Sequence, residues 1–251
     1  PAKGIFLFTL PMLLGNMLQQ LYTMTDSAIV GRFVGQDALA SVGASGAVVF
    51  FIVNVAVGFS FGCSVVISHN FGAGKLKEMR EGISTSFIFM MSIAVLLSIL
   101  GYIFTDEILK GLNTTSELMP DAVRYLKIYF AGFASIFFYN SLASYFRAIG
   151  DSKTPLYFLI VAGVLNIVLD LIFVVVFSWG VAGAAWATVL SQLVSGLLCL
   201  IYIKLKIPIL HFKKEEIVFN KKVLGIMAGY GVPSAFQISI ISVGMLSIQG
   251  L

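Results

Sequence analysis

The sequence predicts an all-α polytopic membrane protein, a six-helix transmembrane lobe plus a seventh helix starting a parallel second repeat. Three observations carry this. Of 251 residues, 59% are apolar and 11% charged, less than half the charge of an average soluble domain, and mean hydropathy is +0.98. The apolar residues fall into runs of roughly 20 or more, the length a helix needs to cross the hydrocarbon. Polar, turn-rich links separate the runs. This composition excludes a soluble globular enzyme, a disordered chain and a nucleic-acid binder.

The runs cover 5–28, 40–68, 83–104, 122–146, 155–178, 181–203 and 223–248. Each must be helical, because an open strand edge in lipid leaves backbone groups unpaired. Span one follows Pro1 directly, too long for a signal-peptide core, and reads as a mature helix. Its Pro11 has no N–H to donate and should act as a kink or hinge. After span two, Phe71-Gly72-Ala73-Gly74-Lys75 mimics a phosphate loop. His69 stands where its first glycine belongs, and the segment follows a membrane span rather than a strand, so a turn explains it. Spans five and six form a hairpin around Trp179-Gly180. The link 204–222 contains Lys213-Lys214-Glu215-Glu216, which reads as a solvated, cytoplasmic face. Span seven echoes span one: an offset of 222 maps Pro11 onto Pro233 and Phe8 onto Tyr230. Residues 1–203 are then a six-helix lobe and 223–251 the first helix of a second lobe in the same orientation, a parallel repeat. Cys63 and Cys199 sit in apolar runs without ligand spacing and read as filler.

Basic residues set the orientation. Twelve of the 16 Lys and Arg residues, including Lys75, Lys77, Arg80, Arg147, Lys153 and the lysines of 204–222, fall on the side of the N-terminus. That places the N-terminus in the cytoplasm of a multi-pass plasma-membrane protein.

Two acids lie inside the spans, Asp26 and Asp170. Such a group costs about 2.5–3.5 kcal/mol at a helix centre on insertion scales, and intramembrane acids line ion or substrate paths. Asn166 is one turn before Asp170, on the same face. Asp170 lies nine residues before the Trp179 turn and Thr188 nine after it, both about 13 Å below that turn. Asp26, Asn166, Asp170 and Thr188 therefore share a depth on three helices, a set suited to Na⁺ coordination or to a proton. The uncharged oxygens of Asn166 and Thr188 lean toward Na⁺. Asn16, Gln19 and Gln20 of span one and Asn140 of span four are the amides expected to line a substrate cavity. No reactive cluster of an enzyme and no cofactor motif is visible.

These residues together resemble the N-terminal lobe of the multidrug and toxic compound extrusion (MATE) family. The matching pieces are Pro11, Asp26-Ser27-Ala28-Ile29-Val30-Gly31, Asn70-Phe71-Gly72-Ala73-Gly74-Lys75 and Arg147-Ala148-Ile149-Gly150-Asp151-Ser152-Lys153-Thr154-Pro155. Asn166, Asp170 and the stretch from Gly180 to Thr188 complete them. The resemblance implies twelve helices in two six-helix lobes around a central cavity. It implies efflux of organic cations in exchange for Na⁺ or H⁺. The family's cation site falls on Asp26, Asn166, Asp170 and Thr188, and its cavity amides on Gln19 and Asn140. A further amide one turn on is Ala143 here. It also implies that five spans of a C-terminal lobe are missing. The rival readings are a flippase of lipid-linked sugars, which should line its cavity with Arg and Lys, a membrane enzyme, and a channel.

Overall fold

The structure, a computed structural model, describes residues 2–211 and 216–249; the side chains of residues 2, 3, 5, 238, 239 and 241–249 lie outside that description. The described residues are helical, without strands. The order is α1 (Ala2–Phe33), α2 (Gln36–Gly72), α3 (Leu76–Ile103), α4 (Thr105–Gly111), α5 (Met119–Ala131), α6 (Phe133–Ala148) and α7 (Lys153–Asp170). A π-helical turn, Leu171–Val176, extends α7. Then come α8 (Val181–Lys206), a 3-10 turn (Pro208–Leu210) and α9 (Lys221–Gln249). Four helical stretches are long and apolar enough to cross a membrane by length and composition: Gln36–Gly72, Leu76–Ile103, Lys153–Val176 and Val181–Lys206. At 1.5 Å per residue, α1 and α9 also have the length.

Three elements differ from the expected spans. The fourth is two helices, broken at Gly132. A Cβ built there would collide with the Val189 side chain of α8, so the chain bends where α8 approaches closest. The fifth ends not as an α-helix but in the π turn directly after Asp170. A short helix, α4, occupies the link before α5 and buries Thr105 and Leu109.

Local chemistry explains the turns. After α6, Gly150 takes φ +90°, a left-handed conformation glycine adopts freely. Its N–H bonds the Arg147 carbonyl at 3.0 Å, and Asp151 N–H bonds that of Phe146 at 2.9 Å. Asp151 Oδ1 then accepts from the Lys153 and Thr154 backbone N–H groups at 3.1 and 3.0 Å, capping α7. At the other end of the hairpin, Phe173 stacks on Trp179 with centroids 4.9 Å apart. A half-exposed tryptophan there suits a membrane interface.

The link before α9 is not a free solvated strand. Thr85 Oγ1 donates to the Val218 carbonyl and accepts from Asn220 N–H, both at 3.1 Å. Val218 N–H donates to Ser84 Oγ at 3.1 Å. Arg80 pairs with Glu216 at 3.0 Å. Asn220 Oδ1 caps α9 by accepting from Lys222 and Val223 N–H. Lys213, Lys214 and Glu215 lie outside the described residues.

Candidate functional site

Asp26 is carried near the C-terminal end of α1, Asn166 and Asp170 on the last turns of α7, and Thr188 on the second turn of α8. The structure brings these four together. Asn166 Nδ2 donates to Thr188 Oγ1 at 3.3 Å. The single hydroxyl proton of Thr188 is shared between Asp26 Oδ2 at 3.3 Å and the Ala184 carbonyl at 3.2 Å. Asp170 is 0% exposed and Asn166 1%, while Asp26 is part-buried. The two carboxyl groups are close enough to act on each other electrostatically.

The oxygens are under-satisfied. Asp26 Oδ1, Asn166 Oδ1 and both Asp170 carboxylate oxygens are buried without a hydrogen-bond partner. A buried polar group left so costs about 1–3 kcal/mol, more when charged. Four acceptors facing one another with almost no donors form a surrounding suited to a cation. Hard cations select oxygen ligands of this kind, and a proton suits an acid pair equally well. Among the described residues no three His, Cys, Asp or Glu side chains group as a metal site; two of the four clustered residues are uncharged. Cys63 and Cys199 are buried free thiols.

A cleft of about 40 Å³ lies beside this cluster, lined by Thr188, Tyr22, Tyr129 and Gln192 and also by Gln19, Tyr139 and Asn140. That is room for a few water molecules. Gln19, Tyr139 and Asn140 also line a second cavity of about 500 Å³, together with Pro11 and Asn16. The cleft touches the cluster through Thr188 and shares Gln19, Tyr139 and Asn140 with the larger cavity. Gln20 lines neither. The cavity face of α1 carries Phe8, Pro11, Met12, Gly15, Asn16 and Gln19, which puts Gln20 beyond the edge of that stripe, and it is exposed. The Asn140 amide also donates to the Ile136 carbonyl at 2.9 Å, leaving its oxygen available.

Sequence reasoning missed Gln192, which is 5% exposed, donates to Tyr22 Oη at 3.4 Å and leaves its Oε1 unpartnered. It stands one turn after Thr188, a spacing that could have revealed it. Arg147, which the predicted fourth span (122–146) stops just short of, is the penultimate residue of α6 and lines the larger cavity.

A profile of the MatE family matches residues 11–172. The chain is 32% identical over 255 residues to the probable multidrug resistance protein YpnP of Bacillus subtilis, covering 99% of this chain and 56% of that protein. A solved structure described as MATE in the bent conformation superposes with TM-score 0.91 at 27% identity, over 98% of this chain and 55% of that one. One described as MATE in the straight conformation gives 0.89 at 27%, over 97% and 54%. The chain spans about half the length of these relatives. With the profile covering well over half of its residues, the chain belongs to the MatE family.

Proposed function

We propose that residues 1–203 are the first lobe, 204–222 the cytoplasmic linker and 223–251 the first helix of the second lobe of a cation-coupled antiporter. The whole protein, with a C-terminal lobe as partner, exports organic, mostly cationic compounds across the plasma membrane by alternating access, its N-terminus cytoplasmic. The observation that carries this is the cluster of four buried, partnerless acceptor oxygens on Asp26, Asn166 and Asp170. Asp26 and Asp170 bind the coupling ion, Na⁺ or H⁺, Asn166 and Thr188 complete its oxygen surround, and Asn16, Gln19 and Asn140 line the substrate path.

The placement of Asp26 and Gln19 supports a route for coupling. Asp26 and Gln19 share α1, so holding Asp26 to an ion fixes the wall that carries Gln19. Losing the ion loosens that hold, and Pro11, with no N–H for the ladder, lets the helix bend at low cost. Ion and substrate then compete through their different affinities for two shapes of α1. Relatives solved in forms described as bent and straight support two such shapes.

The test is ethidium movement in vesicles holding the full-length protein under an imposed Na⁺ or pH gradient. Gradient-driven movement is expected, and whichever gradient drives it names the ion. No movement of any cationic dye under either gradient overturns the reading.

A further inference from the structure

The chain leaving α8 and the chain entering α9 meet on α3. Arg80 of α3 donates through Nε to the Ile209 carbonyl at 3.3 Å and pairs with Glu216 at 3.0 Å, so one guanidinium ties down both sides of the link. Beyond Glu216 the chain follows α3, because Val218 and Asn220 bond Ser84 and Thr85 one turn further on. Ser84 and Thr85 open the apolar run of that helix, 83–104. Residues 217–220 thus form an irregular segment at the depth where α3 passes from charged to apolar residues. Backbone outside a helix is tolerated at such a depth only where its polar groups are satisfied, and the hydroxyls of Ser84 and Thr85 satisfy three of them. The side chains of Ile217, Val218 and Phe219 nevertheless all stand exposed, as does Leu205 at the end of α8. Lys204 and Lys206 on the last turn of α8 and Lys221 and Lys222 on the first turn of α9 flank them, all exposed. None of the four makes an ion pair among the described residues. Glu216 is the only acid among the described residues of 204–222, and Arg80 holds it. Glu78 and Glu81 on the first turns of α3 are offset by Lys75 and Lys77.

We propose that this surface seats an anionic phospholipid of the leaflet at that end of the bundle, its phosphate among the lysines and its acyl chains over Ile217, Phe219 and Leu205. Charge complementarity selects this occupant. A lysine stem lies along apolar surface while its ammonium reaches the interface, and anionic lipid concentrates at basic clusters beside a span. A second lobe seated here would instead bury unpaired ammonium groups and would have to bring acids to meet them. A lipid held by lysines of both α8 and α9 bridges the two ends of the link and reinforces the bracket made by Arg80. The inference stands apart from the antiporter reading, because it concerns the link and not the ion or substrate path.

Phe219→Trp in the full-length protein reports the contact. The variant is placed in nanodiscs of phosphatidylcholine holding a minor fraction of lipid with brominated acyl chains, which quench an indole they touch. The signal of the unsubstituted protein is subtracted. At low salt and equal fraction, quenching by brominated phosphatidylglycerol is expected to exceed that by brominated phosphatidylcholine about threefold, in line with the attraction of anionic lipid to each interfacial lysine. The preference should vanish in concentrated NaCl, which screens exposed charges, and fall by about half when Lys221→Gln and Lys222→Gln are added. Arg124→Gln, an exposed cation at the other end of the bundle, should leave it unchanged. Ile217→Trp repeats the measurement should Phe219→Trp not fold. Equal quenching by the two lipids overturns the anionic seat. Quenching by iodide but by neither lipid means the segment faces water, and quenching by none of them means the second lobe covers it; either overturns the proposal. A preference removed by inorganic phosphate well below the ionic strength at which chloride removes it makes this a site for free phosphate and overturns the lipid.

Discussion

Asp170 concentrates the residue-scale argument. It is fully buried on the last turn of α7 with neither oxygen partnered, and the helix widens into a π turn at the next residue. Such turns cluster at functional sites because they re-aim side chains. Asp170→Asn is expected to abolish gradient-coupled export while leaving membrane insertion and the size-exclusion profile intact, since apolar length drives insertion and the change removes a buried charge. Normal export by that variant overturns the ion-site assignment. Gln192→Leu deletes the Tyr22 contact and one wall of the cleft; it should lower turnover about tenfold or more while equilibrium dye binding stays within about threefold. Equal effects on both would make Gln192 packing alone. The four clustered oxygens were legible because helical spacing and depth are arithmetic. Gln192 and Arg147 were passed over: Arg147 falls just past the predicted end of the fourth span, and Gln192 is a lone amide in the middle of an apolar run whose one-turn spacing from Thr188 was the signal to read.

At the scale of elements, α1 is the part proposed to take two shapes, and α2 packs closely on α9. Pro11→Ala restores a ladder hydrogen bond in α1. Substrate affinity should stay within about threefold and turnover fall at least fivefold, as a stiffer helix favours one state; unchanged turnover removes the hinge. On α2, Gly58 and Gly62 sit one turn apart against Ala235 and Gly231 of α9, backbone against backbone, so that any Cβ would collide. Small residues spaced this way let membrane helices approach closely. Gly62→Val is expected to destabilise the purified protein by about 1–3 kcal/mol through overpacking, read as a lowered thermal midpoint. Gly43→Val on the same helix, where a Cβ meets nothing within 4 Å, is the control. The long apolar runs announced α2, α3 and α8 in the sequence. The break at Gly132 was hidden, because hydropathy is blind to the Val189 side chain that α8 presses against it.

For the whole molecule, the outward faces are rich in exposed Leu, Phe, Ile and Met, α1 above all, as lipid and a second lobe both require. The link ahead of α9 is held to α3 through Thr85, Ser84 and Arg80. Thr85→Val removes two of those bonds, and limited proteolysis within 216–220 should then speed up several-fold; an unchanged cleavage rate would mean the bonds hold nothing. The sequence showed only charge and polarity in this link, and its docking depends on hydroxyls more than 130 positions earlier in the chain. The mechanical consequence concerns how two lobes joined by such a link can move. A slack tether would let the second lobe drift and would dilute it relative to the first. Held to α3 through 216–220, the start of α9 is fixed on the first lobe, and α9 then runs along α2 at Gly58 and Gly62. Motion of the proposed second lobe would then have to open or slide the α2–α9 seam instead of swinging freely on its tether.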